Sequence, residues 1–249
     1  ADFAGNTWTS QIFSIVNDQV IASTPNVVPY VNLLSGGTVN EGDIYTANGS
    51  FTDTDSTSWT ATVDYGDGTV ELLTLSGTSF SLSHLYKDNG TYTVQVLVTD
   101  NQGAIGEATA IVTVNNVAPS VGLITAPSSV VVNTSFTASA NFTDAGVLDT
   151  HTAFWNWGDG STTGTVTESN GSGSVSNTHT YATAGTYTIT LIVTDKDNMS
   201  GQNSTSIDII NQITALSPAK VWVGLKNISN IGAKFDLKAE VYKDNILIS

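Results

Sequence analysis

Acidic side chains that could bind a metal ion occur as two sets, spaced about 90 residues apart, in this chain of 249 residues. The first set is Glu41, Asp53, Asp55 and Asp100 with Asn101, and the second is Asp144, Asp149, Asp195 and Asp197. Each residue lies next to a predicted strand end. Calcium takes about six to eight oxygen ligands from carboxylates, amides and backbone carbonyls. We therefore treat both sets as candidate calcium ligands.

The two candidate calcium sites are not equally complete. Val132 or Asn133 stands in the second set where Glu41 stands in the first, which weakens the second site. A competing interpretation applies to both sets, because Asp side chains at hairpin ends often accept backbone N–H bonds in Asx-turns. Asp67 and Asp159, each between two glycines, are expected to close turns.

The chain offers little support for catalysis. Two of its three histidines, His84 and His179, share one repeat position near a tyrosine, which favours a structural hydrogen bond; the third is His151. A Ser-His-Asp site needs a nucleophile and an oriented base in a cleft. Cysteine is absent, which excludes a thiolate nucleophile or metal ligand. We predict no catalytic residues, no cofactor other than calcium and no enzymatic activity.

The chain is strongly acidic, since 22 acidic residues face 7 lysines and no arginine, giving a formal net charge of −15. This charge repels phosphate backbones, so nucleic-acid binding is not expected, and it favours cations or basic partners. Residues 1–211 contain 2 lysines and 19 acidic residues, whereas residues 212–249 contain 5 and 3. A domain boundary near residue 211 follows. No apolar run approaches the ~20 residues that span a bilayer.

The elements that must position these acids form an internal repeat. Landmarks recur in order at offsets that grow from 90 to 95 residues, which places small insertions in loops. The recurring pieces are Asn26-Val27-Val28-Pro29 and Asn116-Val117-Ala118-Pro119; Phe51-Thr52-Asp53 and Phe142-Thr143-Asp144; the Gly-Asp-Gly turns; and His84-x-Tyr86-x3-Gly90-x-Tyr92 and His179-x-Tyr181-x3-Gly185-x-Tyr187.

Each repeat is predicted to be a small β-sandwich. Apolar and polar residues alternate before the first Gly-Asp-Gly turn and again near the end of each repeat, as in half-buried strands. Trp155 and Trp157 share one strand face and are predicted to lie in the core. The turns themselves should be tight, two-residue hairpin turns with positive φ. No long stretch shows helical periodicity, so the fold class is all-β, with tandem immunoglobulin-like sandwiches.

Trp155-Asn156-Trp157-Gly158-Asp159-Gly160, the following His-x-Tyr-x3-Gly-x-Tyr motif and Val193-Thr194-Asp195 together resemble the signature of the polycystic-kidney-disease (PKD) domain family. The first repeat is similar, with Val63 and Tyr65 in place of the tryptophans. The resemblance implies seven-stranded sandwiches from extracellular tandem arrays, without catalysis by the module itself. It predicts domains at 26–115 and 116–211, flanked by an N-terminal strand segment at 1–25 and an incomplete β-rich segment at 212–249.

The terminal segments suggest a longer assembly. Three strands are predicted within 212–249, at 221–225, 235–241 and 245–248, which is too few for a stable domain. Either the natural chain continues, or a strand from a neighbouring molecule, such as the run 8–16, completes the sheet. Both alternatives remain open.

The function expected from these features is a structural or adhesive segment of a cell-surface layer, stalk or filament. Its partners would be other copies of itself or other surface proteins, with a polysaccharide or matrix ligand as a further option. The alternative is an accessory substrate-binding module of a secreted protease or polysaccharide hydrolase. For a secreted chain, glycosylation is possible at eight Asn-x-Ser/Thr sequons: Asn48, Asn89, Asn133, Asn141, Asn170, Asn198, Asn203 and Asn227.

Overall fold

The structure is a computed structural model and describes residues 13–16, 19–22, 25–32, 34–212, 242–243 and 246–247. Every regular element in these residues is a β-strand, in agreement with the predicted all-β class. The chain forms two compact units, Ala1–Asn211 and Gln212–Ser249. In the described part of the chain, no helix is long and apolar enough to cross a membrane.

A short hairpin precedes the repeats. Its strands β1 (Phe13–Val16) and β2 (Gln19–Ala22) pair antiparallel. β1 is the end of the strand predicted at 8–16, and residues 8–12 lie outside the described residues.

The first sandwich contains nine strands in two sheets. They are β3 (Tyr30–Val31), β4 (Gly37–Asn40), β5 (Ile44–Thr52), β6 (Trp59–Asp64), β7 (Val70–Leu73), β8 (Leu75–Ser76), β9 (Ser79–Leu85), β10 (Gly90–Asp100) and β11 (Ile105–Asn115). One sheet has the order β4-β11-β10-β6-β7 and the other β3-β5-β9-β8. β4 runs parallel to β11, whereas the other pairs are antiparallel.

The second sandwich repeats this plan with eight strands. They are β12 (Ser120–Val121), β13 (Ser129–Val131), β14 (Phe136–Thr143), β15 (His151–Asn156), β16 (Ser161–Ser169), β17 (Ser172–His179), β18 (Gly185–Asp195) and β19 (Ser200–Ile210). β16 pairs with β15 through its first half and with β17 through its second. The strands therefore form one continuous sheet, β12-β14-β17-β16-β15-β18-β19-β13, folded over its own core.

In the second unit, β20 (Tyr242–Lys243) pairs antiparallel with β21 (Ile246–Leu247), which falls in the strand predicted at 245–248. The strands predicted at 221–225 and 235–241 lie outside the described residues. The proposed strand exchange stays a prediction.

Each core follows from the predicted alternation of apolar and polar residues. In β10, Val94, Val96 and Val98 are fully buried, while the residues between them are not. The equivalent residues of β18 are Ile189, Leu191 and Val193, also fully buried. Trp155 and Trp157 lie in the second core with no exposed surface, which confirms their predicted core position. β-branched side chains suit this packing because they fill a pleated surface.

The Gly-Asp-Gly turns differ between the repeats. Trp157 N–H donates to the Gly160 carbonyl, which encloses the two-residue turn predicted there. Tyr65 N–H donates instead to the Thr69 carbonyl, so the first turn contains three residues and its predicted length was wrong. Gly66 and Gly158 have φ of 81° and 84°, a backbone region that favours glycine.

Candidate functional site

The junction between the two sandwiches is formed by direct contacts across a short connection. Glu41 follows β4 and is only 1% exposed, and its Oε1 accepts a hydrogen bond from the Val117 N–H at 2.7 Å. Val117 lies in the connection 116–119 between β11 and β12. Gly42 packs closely against the second sandwich, because a Cβ at residue 42 would lie 3.0 Å from the Cβ of Ala145.

Two aspartates of the second sandwich join Glu41 at this junction. Glu41, Asp144 and Asp149, named here the junction triad, each place a carboxylate oxygen within 4.8 Å of the other two. Asp144 directly follows β14, and Asp149 lies two residues before β15. Neither aspartate side chain has exposed surface. The triad therefore brings three carboxylates out of water at one point.

His151 holds Asp144 in place. Its Nε2 lies 2.9 Å from Asp144 Oδ2, and its Nδ1 lies 2.6 Å from Oε2 of Glu168 on β16. Glu168 Oε1 also accepts the His151 backbone N–H. Burial alone lowers the pKa of His151, but hydrogen bonds to the two carboxylates raise it above its ordinary value. The imidazole thus links Asp144 to the sheet and fixes its orientation.

A second acidic group beside the triad contains a lysine. Asp88, Asp149 and Asp197 surround the ammonium of Lys196, whose Nζ lies 2.6 Å from Asp88, 2.9 Å from Asp197 and also in contact with Asp149. Burial alone lowers the pKa of Lys196, but these three carboxylates raise it well above its ordinary value. Because Asp88 belongs to the first sandwich, Lys196 ties the two sandwiches together.

The electrostatics of the junction triad reflect unbalanced buried charge. Burial raises the pKa of Glu41 to about 7; the Val117 N–H opposes this shift, and the charges of Asp149 and Asp144 add to it. Burial also raises the pKa of Asp149, although Lys196 acts against the shift. Glu41 Oε2 and Asp149 Oδ2 are both buried without a hydrogen-bond partner. Buried carboxylate oxygens normally have partners or bind a metal.

At the end where the chain enters the first sandwich, the aspartates accept hydrogen bonds from uncharged N–H groups. Trp59 Nε1 donates to Asp53 Oδ2 at 2.8 Å, which lowers the pKa of Asp53. Asp55 is exposed and accepts the Val27 N–H at 2.9 Å. Asp100 Oδ1 accepts the N–H groups of Gln102 and Ala104, and Asn101 lies exposed in the same turn. Among the described residues, two acidic groups could hold a metal ion, and neither contains Asp53, Asp55 or Asp100.

The structure does not bring Glu41 together with Asp53, Asp55 and Asp100, and their predicted grouping was wrong. β4 runs parallel to β11 and pairs Asn40 with Asn115, so Glu41 lies at the end of β11. Asp100 precedes the start of that strand, which is 11 residues long. At about 3.3 Å per residue, the two ends of this strand lie about 35 Å apart, with Glu41 at one end and Asp100 near the other. The grouping overlooked this parallel strand, which carries Glu41 to the opposite end of the sandwich.

The second predicted set is brought together at one end of its sandwich, but in different roles. Asp144 and Asp149 belong to the junction triad, and Asp197 binds Lys196. Asp195 Oδ1 accepts the N–H groups of Asp197 and Met199, and its Oδ2 accepts from Asn116. Asp195 is therefore a turn-closing residue, like Asp100 in the first repeat.

Lys196 and His151 were not among the predicted site residues. Neither has an equivalent in the first repeat, since β6 and β10 place Trp59 opposite Asp100, whereas β15 and β18 place His151 opposite Asp195. One signal was available for Lys196: it is one of two lysines before residue 212 and stands between two aspartates.

The repeated histidines have the structural role expected of them. His84 Nε2 lies 2.7 Å from Asp67, and His179 Nε2 lies 2.9 Å from Asp159. Each ring also stacks on a core aromatic residue, Tyr65 in the first sandwich and Trp157 in the second. Both aspartates thus tie their turn to a neighbouring strand, and Asp67 also accepts the Thr69 N–H within its turn.

Comparison with known proteins agrees with this architecture. A family model described as the PKD domain matches residues 26–115 and 116–209. No curated protein gives a significant match. Solved structures similar to the chain include the fibronectin(III)-like modules of Clostridium thermocellum CbhA, with 18% identity, a TM-score of 0.33 and coverage of 77% of this chain and 100% of theirs.

Two further solved structures are similar to this chain. The PKD domain of an M14-like peptidase from Thermoplasmatales archaeon SCGC AB-540-F20 has 27% identity and a TM-score of 0.29, covering 35% of this chain and 92% of that domain. The titin domains Z1Z2 in complex with telethonin have 14% identity and a TM-score of 0.37, covering 76% of this chain and 98% of theirs. Because the family model matches both repeats and most of the chain, the protein belongs to the PKD domain family, of which it contains two tandem members.

Proposed function

We propose that this chain is a non-enzymatic structural and adhesive segment of an extracellular protein, in which two rigidly joined sandwiches form part of a cell-surface layer, stalk or filament. The observation that carries the proposal is the junction. Glu41 of the first sandwich holds the backbone of the connection, and Lys196 of the second reaches Asp88 of the first. A tandem pair with such contacts transmits force and keeps its length better than one joined by a free linker.

The connection itself adds to this stiffness. It comprises residues 116–119 between two strands and ends in Pro119, whose ring fixes φ. Few rotations remain to be restrained, so two or three side-chain contacts suffice to set the orientation. In this role, the partners are other copies of the chain or other surface proteins.

The alternative role, an accessory substrate-binding module, would be favoured by an exposed row of aromatic residues. Among the described residues, the aromatic side chains with large exposed surface are Tyr30 and Phe154, one in each sandwich. They form no row, so we retain the structural role.

Rigidity can be measured directly because the chain has no cysteine. Leu72 and Leu123 are both 85% exposed, one in each sandwich, and the paired substitutions Leu72→Cys and Leu123→Cys would carry spin labels. Pulsed electron paramagnetic resonance should give a single narrow distance distribution. A broad distribution would contradict the proposal.

Electron microscopy of the native material tests the assembly. Filaments or a lattice would support the structural role. Dispersed monomers that are retained on a polysaccharide or collagen matrix would instead favour the accessory binding module.

A further inference from the structure

We propose that the junction triad binds a divalent cation of the calcium class, held between the two sandwiches by Glu41 from the first and by Asp144 and Asp149 from the second. Among the described residues, neither sandwich contains this ligand set by itself. The site is therefore a property of the tandem pair and differs from the two separate sites expected within single repeats.

The spacing of the carboxylates fits a single ion. Calcium binds oxygens at about 2.3–2.6 Å, so two ligands on opposite sides of the ion lie about 5 Å apart. The three triad oxygens lie within 4.8 Å of one another, inside that limit. Carboxylates are the hard oxygen ligands that calcium prefers, and water or backbone carbonyls commonly complete its shell.

The unpartnered oxygens point to a ligand independently of the cluster. Glu41 is 1% exposed and Asp149 is 6% exposed, yet Glu41 Oε2 and Asp149 Oδ2 have no hydrogen-bond partner. The other oxygen of each residue is already engaged, by the Val117 N–H and by Lys196. Each side chain therefore presents one free, buried oxygen to the same place, where a cation would satisfy both.

Gly146 keeps this place open. A Cβ at residue 146 would lie 2.6 Å from Asp149 Oδ2 and 2.7 Å from Glu41 Oε2, in the space that both free oxygens face. The backbone of Gly146 does not adopt the left-handed conformation that would itself require glycine. A side chain here would displace the two oxygens, whereas the backbone itself would accept one.

In the neighbouring acidic group, a cation balances the buried negative charge. Asp88, Asp149 and Asp197 surround the ammonium of Lys196, a cation supplied by the chain. The junction triad shares Asp149, and therefore Lys196, with that group, but among the described residues neither Glu41 nor Asp144 contacts a lysine. Glu41 accepts the Val117 N–H, and Asp144 contacts His151 and accepts the Gly146 N–H. A bound divalent cation would neutralise the carboxylates of the junction triad, as Lys196 neutralises those of the neighbouring acidic group.

Calorimetric titration of the full, chelator-treated chain with calcium chloride tests the site. We expect one binding event that is lost, or weakened at least ~10-fold, in Glu41→Gln, since even outer-shell substitutions cost about that much. Gln at this position keeps an oxygen acceptor for the Val117 N–H. The matched control is Asp53→Asn, the equivalent of Asp144 in the first sandwich, which should bind calcium like the unsubstituted chain.

Thermal unfolding separates a metal ligand from a merely structural residue. In chelator, Glu41→Gln should unfold at the same or a higher temperature than the unsubstituted chain, because it removes a buried unpaired charge. In calcium, only the unsubstituted chain should be stabilised, since a ligand bound by the folded state raises its stability. If Glu41→Gln does not fold, Gly146→Ala gives the second test, because its Cβ occupies the proposed site.

Three results would overturn the proposal: no binding of calcium at millimolar concentration, unchanged binding in both Glu41→Gln and Gly146→Ala, or tighter binding of magnesium than of calcium. The site does not depend on the proposed structural role. A narrow distribution of label distances without calcium binding would contradict the calcium site and support the structural role. Calcium binding with a broad distribution would support the site and contradict the structural role.

Discussion

At the ends where the chain enters them, the two sandwiches have equivalent strands, turns and aspartates. The charged groups around these aspartates differ. Trp59 donates to Asp53 in the first, and His151 contacts the equivalent Asp144 in the second. Asp100 and Asp195 close equivalent turns, and each binds an asparagine of the entering chain. The turn lysine of the second sandwich, Lys196, has no charged equivalent, because Asn101 occupies that position in the first.

This difference shows that the junction is made mostly by residues that depart from the repeat. Glu41 is replaced by Val132 in the second sandwich, where Val132 makes the same backbone bond to the last strand. Asp149 and Lys196 likewise have no counterparts of their charge in the first repeat. Shared residues build each sandwich, whereas the residues that join the two are unshared, except Asp144, which is the equivalent of Asp53.

The largest expected effect is a destabilisation of the second core that leaves the first core unchanged. Trp157 is fully buried and stacks on Trp155 and His179, whereas Tyr65 stands at its position in the first sandwich. Trp157→Ala should cost about 3–5 kcal/mol of unfolding free energy through the cavity it leaves. Amide hydrogen exchange should accelerate in β18 and not in β10. Equal acceleration in both strands would mean that the sandwiches unfold as one unit.

A smaller effect is expected at the junction. Lys196→Met leaves Asp149 buried without its cation, which should cost about 1–3 kcal/mol, below the range for fully buried pairs because Lys196 is partly exposed. Lys87→Met, at the other, exposed lysine of residues 1–211, is the control and should change the free energy of unfolding little. Chemical denaturation measures both. Equal losses would show that Lys196 makes only a surface ion pair.

The hydrogen bond made by the repeated tyrosine should contribute equally to the stability of both sandwiches. The hydroxyls of Tyr86 and Tyr181 donate to the carbonyls of Tyr65 and Trp157 at 2.9 and 2.7 Å, and both tyrosines are buried. Tyr86→Phe and Tyr181→Phe should each cost about 1 kcal/mol, because one buried carbonyl loses its donor. Denaturation of the single variants would detect this loss. A loss of stability in only one of the two variants would contradict the equivalence of the two hydrogen bonds.

The smallest effect is a pH dependence in the first turn. Partial burial acts to raise the pKa of Asp67, but hydrogen bonds from His84 and Thr69 outweigh it and lower the pKa. A lowered pKa adds stability above the unfolded pKa of about 4, and this stability is lost as pH falls through the folded pKa. Between pH 5 and 3, Asp67→Asn should therefore lose slightly less stability than the unsubstituted chain, by under about 1 kcal/mol. Thermal melts across this range would measure the difference, and parallel melting curves would contradict it.

Much of the fold was predictable from the sequence because its signals are local. Alternating apolar residues define strands such as β10 and β18, since side chains point to opposite faces of a strand at every second residue. Glycines at 66 and 158 mark turns because they adopt positive φ. The offset between the repeats then placed Asp144 and Asp195 at the same end of the second sandwich as Asp53 and Asp100 in the first.

The sequence by itself thus determined the PKD-type sandwiches, their order and the acidic residues in their loops. Only the tertiary structure decided which acids meet, because that depends on strand direction and on contacts between residues up to 108 positions apart. The parallel pairing of β4 with β11 carried Glu41 away from Asp100 and toward Asp144 and Asp149. No local pattern encodes that direction, and so the junction triad and the bridge made by Lys196 became visible only in the folded chain.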